Sequence, residues 1–314
     1  MPMGGSKLDT KIFFIVNPVS AGQKTLKEWP VYEKHLKEND YKFDWIFTEY
    51  PEHATIITRE VIKSGYNLIV SVGGDGTMNE VINGFFENDN IINSEVKLAV
   101  FARGTGCDFI RSFGIKRGYE NFVKVLEKNE VQKLDVGKVS FLHTSGQVVT
   151  KYFLNISDVG LGGETTRRVN KTKKHLKGFL AFLIGAMLTI LKYRNKTIKL
   201  EIDGEVVKNE KINSVIVANA KYFGGGMYIS PNSEVNDGLL DIIVIGDFKT
   251  LELIRDFHLI YNGKHLTHQK ICHFKAKKVK ITSEPVALLE FDGEQQGTTP
   301  AEFEIIQHAV KVLI

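Results

Sequence analysis

The 314-residue sequence holds only two cysteines, Cys107 and Cys272. That argues against a disulfide framework and fits a reducing compartment. It has no long block of one charge sign: Lys plus Arg number 41 and Asp plus Glu 37, for a net charge of +4. A nucleic-acid-binding arm is therefore not expected, while a mild preference for anionic partners is allowed. The longest apolar run, from Gly178 to Leu191 and broken by Thr189, falls short of the roughly 20 residues that a spanning helix needs. The opening Met1-Pro-Met-Gly-Gly-Ser lacks a basic region followed by an apolar core, so no signal peptide is expected there. Internal repeats and low-complexity linkers are also missing. What remains is an expected cytoplasmic protein, attached to a membrane at most peripherally.

Hydrophobic residues make up 43% of the chain, ample for sizeable cores, and the length suggests two domains. In the first part, strand-like and helix-like segments alternate. Lys11–Val16 (KIFFIV) and Asn67–Val72 (NLIVSV) are apolar without alternation, as in parallel strands covered on both faces. After about Leu134, strand-like pieces crowd together between turn residues, from Val136–Phe141 to Ala287–Phe291. This reads as an α/β nucleotide-binding domain over 1–134, to which 301–314 is a candidate to return. A β-sandwich domain over 135–300 follows it.

Gly73-Gly74-Asp75-Gly76-Thr77 sits between a buried strand and a helix read over Met78–Phe86. Glycines let backbone N–H groups approach phosphate oxygens, and a helix N-terminus adds unpaired donors and a positive dipole end. Asp75 would repel a bare phosphate, which suits a magnesium ion or its water shell. Thr77 through Glu80 also fits a capping box. Two further small-residue loops follow strands in the same part: Asn17–Gly22 and Arg103–Asp108. Three such loops at strand ends point to one phosphate-binding edge. A complete G-x-x-x-x-G-K-[ST] or G-x-G-x-x-G does not occur.

These elements resemble the diacylglycerol-kinase-like lipid kinases in their soluble bacterial form. The match is carried by Asn17-Pro-…-Gly22, Gly73–Thr77 with Asn79-Glu80, and Gly104-Thr-Gly-Cys-Asp108-Phe109. It extends to Asn236-Asp-Gly-Leu-Leu-Asp241 and Asp292-Gly-Glu294. The resemblance implies a NAD kinase- or phosphofructokinase-like parallel sheet, a β-sandwich and an active site in the cleft between them. It implies ATP and Mg2+ as cofactors. ATP would contact Asn17, Pro18, Ser20, Gly22, Thr48, Gly74, Asp75, Gly76, Thr77, Met78, Asn79, Glu80 and Thr105. Asp75, Asp108 and Asp135 would organise magnesium and water, with Asp75 and Glu294 catalytic and Glu294 the proton acceptor. A structural magnesium would be held by Asp237 with the carbonyls of Glu234 and Leu239. The usual Asn before Asp108 is here Cys107, a candidate thiol-reactive site, and Arg103 could add positive charge near a phosphate.

The implied activity is transfer of a γ-phosphoryl group to a hydroxyl of a membrane lipid, diacylglycerol first among several. The alternatives are a kinase of a soluble substrate such as NAD, and a nucleotide-regulated membrane-binding protein that has lost catalysis. A second Asp-Gly-Glu stands at Asp203–Glu205, and local sequence hardly separates it from Asp292–Glu294; chain order favours the latter. Lys177–Leu191 is apolar on nearly every helical face. Lys171, Lys173, Lys174 and His175 precede it, and Lys192, Arg194 and Lys196 follow, so it reads equally as a membrane-contacting or a core helix. His265, His268, Cys272 and His273 lack the usual spacing of a zinc site. A homodimer through an exposed sheet edge is an open expectation.

Overall fold

The computed structural model describes residues 10–104, 106–172 and 179–314, with side chains outside 171–182. The chain divides into two units, residues up to Leu134 together with Ala309–Ile314, and Asp135–His308.

In chain order the first unit runs β1 (Ile12–Val16), α1 (Lys24–Glu38), β2 (Phe43–Phe47), α2 (His53–Lys63), β3 (Leu68–Gly73) and α3 (Asp75–Gly84). The small hairpin β4–β5 (Phe86–Glu87, Asn90–Ile91), β6 (Lys97–Ala102), α4 (Asp108–Ser112) and α5 (Tyr119–Lys128) follow. Its strands pair in parallel in the order β6-β3-β1-β2. The end of the chain, through Lys311 and Val312, adds a parallel strand beside β6. β3 is buried throughout and β1 at all but Phe13, as apolar runs without alternation require. The Phe14 ring lies 5.5 Å from Trp29 of α1, 5.0 Å from Phe43 and 6.1 Å from Phe122 of α5. Burying side chains of this size contributes roughly 1.5–3 kcal/mol each. That fixes the helices on the sheet and holds the loops at its edge in place.

The second unit takes in most of β7 (Val131–His143), then β8 (Val148–Phe153), β9 (Ile156–Gly160), α6 (Leu161–Thr172), α7 (Phe179–Lys192), β10 (Lys196–Ile202) and β11 (Glu205–Ile212). It continues with β12 (Ser214–Ala218), β13 (Leu240–Ile245), α8 (Thr250–Asp256), β14 (Ile271–Ala276), β15 (Lys278–Glu284), β16 (Leu288–Phe291) and β17 (Glu294–Leu313). One antiparallel layer runs β14-β13-β12-β9-β16-β17; β11-β10-β15 and β8-β7 also join β17. Their inner faces meet in a core that includes Phe141, Phe153, Val217, Phe291 and Phe303. The other face of the first layer carries a smaller cluster with Ile156, Ile216 and Ile243.

Helix α6 is not foreshadowed by local sequence. It opens on Leu161-Gly-Gly163, a poor helix start by propensity. Both glycines are explained by packing. A Cβ on Gly162 would meet Asp158 Cγ at 2.5 Å, and one on Gly163 would meet the Leu288 carbonyl oxygen at 2.6 Å.

Candidate active site

In the first unit the chain leaves β1 toward β2 on one side and returns as β3 on the other. The crevice between the carboxyl ends of β1 and β3 is where open α/β sheets bind ligands. Asn17 bridges it. Its N–H donates to the Val72 carbonyl (2.9 Å) and its Nδ2 to Thr77 Oγ1 (2.9 Å). Its Oδ1 accepts the Val19 N–H, and its carbonyl accepts the Ser20 hydroxyl (2.8 Å). Pro18 and Gly22 complete this turn, Gly22 with φ +68°. Thr48 follows β2 at the same edge, its N–H donating to the Val16 carbonyl (2.9 Å).

Helix α3 starts at Asp75, three residues earlier than expected, because Gly74 is extended and serves as its N-cap. The capping box read at Thr77 and Glu80 is therefore not formed. Thr77 lies inside the helix and accepts from Asn17. Glu80 Oε2 instead accepts the Ala54 N–H (3.1 Å), and its carbonyl accepts the Thr55 hydroxyl, tying α2 to α3. Met78 and Asn79 are buried in α3, and Gly76 lies in its first turn. Thr105 lies outside the described residues.

The loops after β3 and β6 touch backbone to backbone. A Cβ on Gly104 would fall 2.4 Å from Gly74 Cα. Beside this contact, Asp75 accepts the Asp108 N–H on Oδ2 (3.2 Å) and the Phe109 N–H on Oδ1 (3.3 Å), capping α4. Burial pushes the Asp75 carboxyl above the usual range, against the pull of these N–H groups. A Cβ on Gly106 would lie 3.1 Å from Asp75 Oδ2 and 3.3 Å from Asp108 Oδ2. Two carboxylates thus flank a glycine where only hydrogen leaves room.

Two expectations about this loop are corrected. Cys107 is only 3% exposed, and its Sγ donates to the Gly104 carbonyl (3.2 Å). Burial, helped by the nearby Asp75 charge, pushes the thiol up to about 11, so it stays protonated and unreactive near neutrality. Arg103 turns to α1, pairing with Glu28 and lying 5.3 Å over the Tyr32 ring. The cations at the loop are ones that motif reading overlooked. Arg117 donates to the carbonyls of Gly104 and Gly106, and Arg111 Nε lies 3.5 Å from Asp108 Oδ1. Nothing in their spacing marks them.

In the second unit Asp135 is fully buried. Its Oδ2 accepts the Gly238 N–H (2.6 Å) and its Oδ1 the His308 N–H (2.7 Å). It thereby fixes the Asn236–Gly238 turn. Asp237 accepts the Leu239 N–H on Oδ1 (3.0 Å) and the Lys275 ammonium on Oδ2 (2.6 Å). Glu234 is exposed beside this turn. The donor set does not fit a magnesium ion as it stands, because the ammonium already neutralises Asp237.

The two Asp-Gly-Glu hairpins share one backbone conformation. Asp203 and Gly204 have φ +48° and +93°, Asp292 and Gly293 +48° and +87°, as in two-residue type I′ turns. Their surroundings separate them. Asp203 is exposed and accepts the Lys277 and Lys278 N–H groups. Asp292 is buried, its N–H donating to the Ile156 carbonyl (3.0 Å) and its Oδ1 accepting the Ile156 N–H (3.2 Å). Glu294 leaves this anchored turn exposed to solvent.

On α7, Ala186, Thr189 and Ile190 are buried, whereas Ile184, Leu188 and Leu191 form an exposed apolar stripe. Lys192 and Arg194 are exposed at its end and Lys196 is half-buried. Lys173, Lys174, His175 and Lys177 lie outside the described residues, as does the side chain of Lys171. No helix among the described residues is long and apolar enough to cross a membrane. The histidines near the end of the chain point to separate partners: His265 to the Ile229 carbonyl, His268 toward Asp256, and His273 to Asp241 (2.5 Å).

Both units of the chain match known protein families. Residues 11–139 match the profile of the diacylglycerol kinase catalytic domain. Residues 156–314 match that of the YegS C-terminal NAD kinase beta sandwich-like domain. Diacylglycerol kinase of Bacillus subtilis (strain 168) is 30% identical over 310 residues, covering 96% of this chain and 95% of that protein. The diacylglycerol kinase of Staphylococcus carnosus (strain TM300) is 27% identical over 301 residues, covering 95% of this chain and 93% of its own. A crystal structure from Bacillus anthracis str. Sterne, proposed to be a diacylglycerol kinase, is 27% identical with a TM-score of 0.75, covering 96% of this chain and 97% of that one. Yeast NADH kinase, at 11% identity and a TM-score of 0.54 over 96% of this chain and 82% of its own, shares the fold.

Proposed function

The chain belongs to the diacylglycerol kinase family, and on that premise we propose that it transfers the γ-phosphoryl group of ATP to diacylglycerol, giving phosphatidic acid. It is a lipid kinase in the broad sense, a phosphotransferase with an alcohol acceptor. The particular lipid, the catalytic residues and the metal arrangement are the proposal. The observation that carries it is the Gly74–Gly104 contact, with Asp75 and Asp108 flanking Gly106.

Phosphates would lie over the start of α3, between Asn17–Gly22 and Gly74–Thr77, where N–H groups and the helix dipole favour anions. Thr48, Met78–Glu80 and Thr105 would complete the ATP contacts. A bound Mg2+ supplies charge neutralisation at the phosphates. Asp75 and Asp108 would hold it or its waters. Asp135, which the family resemblance groups with them, is fully buried and holds the Gly238 and His308 N–H groups. Glu294 would accept the hydroxyl proton; the anchoring of Asp292 on β9 supports it over Glu205, whose turn is held only at the surface. The apolar stripe of α7 supports a peripheral membrane contact.

Labelled ATP offered with a lipid panel tests this reading, with Asp75→Ala as control. Label in extractable phosphatidic acid is expected. Label in a water-soluble product would support the NAD-type alternative instead, and no transfer at all would support loss of catalysis. Glu294→Gln should lower kcat by about a thousandfold while leaving ATP binding intact, an effect of the size general-base removal produces. An active Glu294→Gln with an inactive Glu205→Gln would move the role to the other turn.

A further inference from the structure

Leu200–Glu205 and Leu289–Glu294 both read Leu-Glu-x-Asp-Gly-Glu. The two hairpins also share a register shift at one position, between Leu200 and Glu201 and between Leu289 and Glu290. They differ in what surrounds the first glutamate. Glu201 is only half-buried and has the Lys199 ammonium 2.6 Å away. Glu290 is 3% exposed, directly across the β9–β16 ladder from Asp158, itself 4% exposed.

Neither buried carboxyl has an ion-pair partner among the described residues. Asp158 Oδ1 accepts the Ser214 hydroxyl (3.0 Å) and the Gly162 N–H (3.2 Å). Glu290 Oε2 accepts the Gly293 N–H (3.1 Å), the amide just before Glu294. The charged and titratable groups packed nearby do not supply a counter-ion. On α6, Glu164 and Arg167 pair with each other (2.7 Å), and no arginine charge among the described residues acts on Asp158 or Glu290, whose surroundings are set by burial and backbone or hydroxyl donors. Tyr193, beyond α7, is itself pushed up by burial, with Asp158 and Glu164 adding. Lys196 of β10 lies near Glu164 and Arg167, and Asp292 adds a further negative charge.

Two ionised carboxylates side by side in a buried site, with no counter-ion to either among the described residues, are strongly unfavourable, so such pairs retain a proton. Burial pushes Asp158 up to about 7. It pushes Glu290 well above the usual range, with the Asp158 charge adding. We infer that Asp158 and Glu290 form a cross-strand carboxyl pair that keeps a proton and positions the Asp292–Glu294 turn for phosphoryl transfer. Glu290 is a positioning residue: it acts on Glu294 through the Gly293 amide. The inference rests on Glu294 being the proton acceptor, but the existence of the pair does not.

The sign of the pH effect follows from the raised values. A carboxyl whose folded pKa exceeds its unfolded one contributes stability at acid pH and loses it as pH rises through the folded value, here about 7 for Asp158. Melting temperature measured from about pH 5 to about pH 9 should therefore fall more in the wild type than in Glu290→Gln, which stays neutral. Asp158→Asn should flatten the profile in the same way, while Glu201→Gln in the twin hairpin should parallel the wild type. Should either variant fail to fold, the protonated-carboxyl infrared band that remains at neutral pH in Asp75→Ala, which removes the other buried carboxyl with a raised value, reads the pair. Glu290→Leu, which removes the acceptor of the Gly293 N–H, should lower kcat about tenfold with KM for ATP unchanged, and Glu290→Gln should lower it less. Parallel melting profiles for wild type and Glu290→Gln, or a missing infrared band, would overturn the pair. A wild-type kcat in Glu290→Leu would overturn the positioning. If Glu294→Gln remains active, the proton-acceptor assignment fails, while the melting profiles of that same chain still decide whether the pair exists.

Discussion

Gly74 and Gly104 come together so closely that a Cβ on Gly104 would stand 2.4 Å from Gly74 Cα, although neither needs a left-handed backbone. The glycines of these loops thus answer to each other as well as to phosphate. Gly104→Ala should force the loops apart at a cost of about 1–3 kcal/mol, the usual range for overpacking. Nucleotide titration should show ATP affinity falling about tenfold or more, and thermal denaturation a lower melting temperature. An Ala variant that binds ATP like the wild type would mean the loop contact has no part in forming the site.

The Cys107 thiol makes a second prediction, because burial beside Asp75 holds it at about 11. Only the thiolate reacts quickly, so at neutral pH Cys107 should resist alkylation in the folded protein. Cys272 is partly exposed and should label first. Counting modified thiols before and after denaturation checks this: one is expected in the native state and two in the unfolded state. Rapid native modification of Cys107 would show that the loop opens readily.

Local sequence revealed what depends on local sequence. The apolar runs of Lys11–Val16 and Asn67–Val72, which lack alternation, became parallel strands, since both faces of the sheet are covered. The glycine loops were legible because each follows such a strand. Thr77 and Glu80 were misread as a capping box because their partners, Asn17 and Ala54, are 60 and 26 residues away. Helix α6 escaped notice because Gly162 and Gly163 are poor helix formers, chosen for contact with Asp158 and Leu288. The two Leu-Glu-x-Asp-Gly-Glu hairpins are the sharpest case. Their backbones are alike, so what separates Glu290 from Glu201 is the neighbouring strand.

Lys275 and Asp237 give a third prediction. The hydrogen bond to Asp237 raises the Lys275 ammonium above its ordinary pKa, with the Asp241 and Glu234 charges adding. Being partly exposed, the ion pair should contribute only about 1 kcal/mol. Lys275→Met should then lower the melting temperature by about 2–4 °C, and magnesium without nucleotide should restore part of the loss. With the other proposed magnesium site disabled in Asp75→Ala, magnesium alone should leave the melting temperature unchanged, because the Lys275 ammonium already occupies Asp237 Oδ2. A clear rise in Asp75→Ala that a further Asp237→Asn abolishes would show that a metal displaces Lys275 and that the turn is a magnesium site.

The stripe formed by Ile184, Leu188 and Leu191 tests how the enzyme meets its lipid. Leu191 is 59% exposed and Leu188 45%, while Ala186, Thr189 and Ile190 on the same helix are buried. One face of α7 therefore packs inward, and the other leaves large apolar side chains in water. The exposed cations Lys192 and Arg194 stand at its end, a combination that suits an anionic bilayer surface. Each buried leucine would add roughly 1.5–3 kcal/mol to membrane binding, against about 1 kcal/mol for each basic residue. The apolar stripe should therefore dominate. Leu188→Asp with Leu191→Asp should weaken binding to anionic vesicles by more than about a hundredfold, measured by sedimentation, and the effect should persist in high salt. Replacing Lys192 and Arg194 should cost less, and that loss should fade as salt rises. Unchanged vesicle binding in the leucine variant would place the membrane contact elsewhere on the chain.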